Sequence, residues 1–105
     1  MALKKNPNPT FRHEVEIPVP GEKPEKVEFV FKHKGKKAYQ QFVEDCIGRD
    51  DVESTLEIVT GWNIEDEFGK VSKEALETLY EAYPGAPNAV FIGYSKGLHQ
   101  GRLGN

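Results

Sequence analysis

One cysteine, one methionine and one tryptophan are all that this chain of 105 residues contains of those types. The single cysteine, Cys46, cannot close an internal disulfide, so the fold has to rest on packing, and a reducing compartment such as the cytoplasm is expected. No apolar run approaches the ~20 residues of a membrane span. An excess of positive charge is also missing: the formal net charge is -3, which argues against general binding of a phosphate backbone. At 37% hydrophobic and 30% charged residues the chain can still build one modest core under a strongly solvated surface.

Chemistry-bearing patterns are scarce as well. Cys46 sits in an apolar helical stripe and reads as a small hydrophobe. Ser54, Ser72 and Ser95 lie in no Gly-x-Ser-x-Gly setting. The "GKK" at Gly35 lacks the earlier glycine and the Ser/Thr of a phosphate loop. His13, His33 and His99 are scattered without metal-ligand spacing. Glu65, Asp66 and Glu67 are consecutive and lack the alternate-position oxygens of a calcium loop. The expectation is therefore a protein that is not an enzyme and has no cofactor and no metal. "FKHKGKK" gathers four lysines and one histidine, but without interleaved aromatics it is a weak nucleic-acid signal.

What the sequence does hold is pattern. Residues 1–9, with "KKNPNP", are expected as a flexible arm without the apolar stretch of a secretory signal. From Phe11 the period is two: Phe11, His13, Val15 and Ile17 face one way, and Arg12, Glu14 and Glu16 the other. "PVPGEKPE" interrupts, and Val27, Phe29 and Phe31 then alternate in a second strand. The two strands are expected to form an antiparallel hairpin from about Thr10 to Lys32. A lone hairpin is marginal in water, so it needs a partner layer.

That layer is helical. Tyr39, Phe42, Val43, Cys46 and Ile47 form one stripe, which Gly48 ends. Asp50 and Glu53 form a capping pair for a helix carrying Val52, Leu56 and Val59, closed by Gly61. Ser72 caps a third helix with Leu76, Leu79, Tyr80 and Tyr83. A last helix starts near Pro87 and carries Val90, Phe91, Tyr94 and Leu98, weakened by Gly93 and Gly97. The reading is an α+β fold: a two-stranded hairpin packed on three or four helices, one globular domain over residues 10–98, and a flexible tail over 99–105.

The aromatics cluster at two joints, "GWNIEDEFG" and "YPGAPN". Trp62 reads mainly as a structural joint between two helices, solvated by its acids. Trp62, Phe68, Tyr80, Tyr83 and Tyr94 are also the candidate partner-binding residues, because aromatics supply much of the energy of interfaces. Core and contact surface both remain open for each of them.

The order of these motifs resembles a known family. An alternating strand leads to "FVFKHKGKKAYQQFVED", then a helix ending in "GW", an acidic stretch with "DEFG", the helix "SKEALETLYEAYPGAP" and the tail "GRLGN". From about Thr10 to Asn105 this is similar to the small tail assembly chaperones of long-tailed bacteriophages and prophages. The resemblance implies a non-enzymatic role in the host cytoplasm. Such proteins keep the helical tape-measure protein soluble and help recruit tail-tube subunits. It implies a largely helical fold, from which the hairpin departs, and often a longer frameshifted product. Self-association is left open. The alternative, from another class, is a small regulatory or nucleic-acid-binding adaptor using the Lys32–Lys37 turn.

Overall fold

Alternation decides the first half of the chain. The computed structural model describes residues 3–101, so the expected arm and tail fall partly on residues 1–2 and 102–105, outside that range. Strand β1, Thr10–Ile17, pairs antiparallel with β2, Glu25–Lys32, in the register Thr10 to Lys32 and Ile17 to Glu25. Val15, Ile17, Val27, Phe29 and Phe31 are buried on one face, while Arg12, Glu14, Glu16 and Lys26 are exposed on the other. The hairpin is as the sequence predicts.

The sheet, however, has three strands. Residues Val59–Trp62 form β3, antiparallel to β2 on the side away from β1, with Phe29 opposite Trp62 and Phe31 opposite Val59. The two-stranded expectation is corrected here, and so is the placement of Val59 in a helix and of Trp62 in a joint between two helices. The reason lies in Ile58, Val59 and Thr60. Three β-branched residues in a row favour extended backbone, and an available edge on β2 rewards it.

Helix α1, Lys36–Cys46, follows the hairpin, and Gly48, at φ 77°, turns the chain after it. Helix α2 is Asp51–Ile58, and its cap is as expected: the Asp50 side chain accepts the Glu53 N–H at 3.4 Å. The acidic stretch folds into a single turn, α3, Glu65–Phe68. Helix α4, Lys73–Ala82, is capped by Ser72, whose Oγ accepts the Ala75 N–H at 3.1 Å. Helix α5, Ala86–Gln100, has Pro87 in its first turn and continues through His99 and Gln100, two residues into the segment expected as tail.

Helices α2 and α5 lie on the buried face of the sheet, α5 against β1 and α2 against β2 and β3, with α4 packed on both helices. Phe29, Phe31, Ile58, Leu76 and Val90 form the driest part of the core. Gly93 and Gly97, read from the sequence as weak points of α5, are where the helix meets β1. A Cβ on Gly93 would stand 2.6 Å from Val15 Cγ2. One on Gly97 would stand 2.8 Å from His13 Cγ and 2.9 Å from Phe11 Cε2. The glycines cost helix propensity and permit a contact that no larger residue allows.

Candidate partner-binding cleft between α1 and α5

Helix α1 is amphipathic, yet the protein covers only part of its apolar stripe. Phe42 is its one buried residue, with Tyr39 and Cys46 half-buried beside it. Val43 and Ile47 stay 46% and 82% exposed. Between this ridge and α5 lies a cleft of about 300 Å³ lined by Tyr39, Phe42, Val43, Cys46, Phe91 and Tyr94. Its floor is a cluster of rings: Phe42 meets Tyr94 edge-on at 5.8 Å and Phe91 at 6.4 Å, and Tyr39 meets Tyr94 at 6.1 Å. Tyr94 is held there from below, because its hydroxyl donates to the Lys32 carbonyl at 2.9 Å. Burial pushes the Tyr94 phenol up, so the group stays neutral and donating.

The cleft has one polar wall. Arg49 donates from Nε to Ser54 Oγ at 3.0 Å and from a terminal nitrogen to Glu57 at 2.7 Å. Lys34 reaches the other Glu57 oxygen at 2.8 Å. The Lys34 ammonium, and then the Arg49 guanidinium, hold the Glu57 carboxyl below its ordinary range. This four-residue network ties the β2–α1 turn, the α1–α2 turn and α2 together. Lys34 also stands over the Phe42 ring, 5.7 Å from its centroid. One lysine of the basic turn is thus engaged inside the fold.

The predicted aromatic set is divided by the structure. Tyr94, 1% exposed, reaches the cleft as part of its floor. Tyr80 is buried elsewhere, its hydroxyl 2.6 Å from Thr55 Oγ1. Thr55 spends its one hydrogen on the Asp51 carbonyl, so Tyr80 is the donor of that bond. Trp62, 6% exposed, packs edge-on to Phe29 at 6.1 Å and lies 6.2 Å from Phe68. Phe68 and Tyr83 are half-buried at the rim of the core. The three carboxylates of α3 gather no metal cluster among the described residues. Sequence reasoning placed Val43, Cys46 and Ile47 on a stripe and did not single them out. Their signal is a stripe wider than one buried helix face requires.

The sequence model of a family described as phage tail assembly chaperone matches residues 1–105. The chain belongs to that family. No curated protein and no solved structure matches it. The match takes in the stretch from about Thr10 to Asn105 that carries the motif order and extends over the residues before it. No helix among the described residues of this chaperone is long and apolar enough to cross a membrane.

Proposed function

We propose that this chaperone receives amphipathic helical segments of the tape-measure protein in the α1–α5 cleft. It keeps them soluble in the host cytoplasm until tail-tube subunits assemble around them. The observation that carries this reading is the uncovered half of α1: Val43 and Ile47 stand exposed beside an aromatic-floored cleft. A long helix with an apolar stripe self-associates in water unless that stripe is covered, and a groove of this kind covers it. The role asks for no catalytic residue and no cofactor. Within it, Tyr94 supports the contact surface from beneath, Trp62 and Tyr80 hold the frame, and Phe68 and Tyr83, each half-buried, offer smaller contacts outside the cleft. The adaptor reading draws no support from Lys34, whose ammonium is spent on Glu57.

Co-expression with the tape-measure protein from the same tail-gene cluster tests this. The tape-measure protein is expected in the soluble fraction, co-purifying with this chain. A tape measure that stays insoluble in its presence overturns the assignment.

A further inference from the structure

Strand β1 is an edge of the sheet, and among the described residues nothing pairs with its outer side. The direction of its backbone groups follows from two observations. The His33 N–H donates to the Pro9 carbonyl at 2.8 Å, which fixes the phase: residues 9, 11, 13, 15 and 17 turn their polar groups toward β2. On the other side of β2, the Glu28 carbonyl accepts the Asn63 N–H at 3.0 Å and the Glu28 N–H donates to Asn63 Oδ1 at 3.0 Å. Glu28 therefore faces β3, and Glu14, its opposite number on β1, faces outward. Arg12, Glu14 and Glu16 present their N–H and C=O groups to the open side. Beside this edge runs a groove of about 560 Å³, walled on the helix side by Asn88, Ala89, Lys96 and by Ile92, which is 47% exposed.

We propose that this edge accepts one extended segment of another protein, paired along Arg12–Glu16, with a basic residue opposite Glu14 and apolar residues at the alternate positions against Ala89 and Ile92. Charge specifies the cation. Glu14 stands directly across from Glu28, a like charge, and the Glu28 carboxylate is taken by Arg12 at 3.3 Å. Glu16 has a cation, Lys26, across from it, whereas Glu14 has none; neither carboxylate forms an ion pair among the described residues. A lysine or arginine on the incoming strand supplies the missing partner.

A second copy of this chain does not fit. Gly93 and Gly97 bring α5 directly onto β1. A second β1 would lie about 4.8 Å away and would bring its own α5 to nearly that distance, whereas packed helices need about 8–10 Å. The occupant is a strand with no helix above it. This surface is distinct from the α1–α5 cleft, so the two proposals fail separately.

The test uses the full chain, ¹⁵N-labelled, and the capped peptide Thr-Val-Lys-Val-Thr at about 1 mM, where weak edge pairing is populated. The Arg12 and Glu14 amides are expected to shift and to exchange about twofold more slowly, as half occupancy by a millimolar ligand requires, with a weaker response to Thr-Val-Glu-Val-Thr. Glu14→Lys should invert that preference. Glu14→Pro removes only an outward donor and should abolish the response while the β1–β2 resonances persist. If Glu14→Pro fails to fold, the inversion by Glu14→Lys still decides. Unchanged Arg12 and Glu14 amides, shifts confined to the α1–α5 cleft, or protection that rises with protein concentration alone would each overturn the proposal.

Discussion

Trp62 donates its indole N–H to the carbonyl of Gly69 at 2.8 Å, closing the acidic turn α3 over the end of β3. The bond explains why the only tryptophan is followed by three carboxylates. The ring fills the core against Phe29, the polar edge of the indole is satisfied by the returning chain, and the acids of the intervening turn stay at the surface. Trp62→Ala should cost about 3–5 kcal/mol, as truncation of a large core aromatic does. Trp62→Phe, which keeps most of the apolar volume and loses the bond, should cost less: Gly69 is exposed, so its freed carbonyl turns to water and the lost bond adds only about 0.5–1.5 kcal/mol. Urea denaturation of both variants measures the difference. An unaltered midpoint in Trp62→Ala would remove the residue from the core.

Gly93→Ala sets two effects against each other. Alanine gains up to about 1 kcal/mol in helix propensity. The added methyl meets Val15 at a distance that forces β1 and α5 apart, and overpacking of this kind costs about 1–3 kcal/mol. The contact should win, and the melting temperature should fall. A rise would mean that α5 stands farther from the sheet than the glycines imply.

Acid should weaken the joint between the two turns and α2. Glu57 is held below its ordinary value of 4.5 by Lys34 first and Arg49 second. A carboxyl depressed in the folded state contributes stability that is present above its unfolded value and is lost as pH falls through the folded one. Between neutral pH and about pH 5 the contribution should therefore be flat, and it should decline below 4.5. Urea midpoints from pH 7 to pH 3 should converge for the wild type and Glu57→Gln at the acid end. Parallel curves would show that Glu57 is not coupled to folding.

Much of this fold is legible in the residues because local and tertiary preferences agree there. Val15 and Ile17 alternate with charges and are buried in that order, and Asp50 and Ser72 cap the helices that follow them. Disagreement marks the places where reading fails. Val59 continues the helical spacing of Val52 and Leu56, but pairing with β2 overrides that period and draws it into a strand of four residues. Ser54 and Thr55 are fully buried, which no apolar pattern announces, because their hydroxyls are satisfied by Arg49, Tyr80 and the Asp51 carbonyl. For the candidate site, aromatic content marks the residues with most area to bury and says nothing of which side they bury it on. Val43 and Ile47 stand out only once α5 is seen to stop short of them.

Two sets of substitutions separate frame from contact surface. Replacing Tyr80, Tyr83 and Tyr94 together by serine removes two buried rings and two internal hydrogen bonds, those to Thr55 and to the Lys32 carbonyl. Each large-to-small change in a core costs about 3–5 kcal/mol, and a domain of this size has about 5–15 kcal/mol to lose. The triple variant should therefore lose its helical circular dichroism, and its failure to rescue the tape-measure protein would say nothing about contact. Val43→Ser with Ile47→Ser is the informative pair. Both side chains are exposed in the free protein, and surface changes of this kind stay within about 0.5 kcal/mol each. The double variant should melt close to the wild type. It should nonetheless leave the tape-measure protein in the pellet, because truncating central contacts weakens binding by about tenfold or more. Retained rescue by a folded double variant would move the contact away from the α1–α5 cleft, with the half-buried Phe68 and Tyr83 as the next residues to vary.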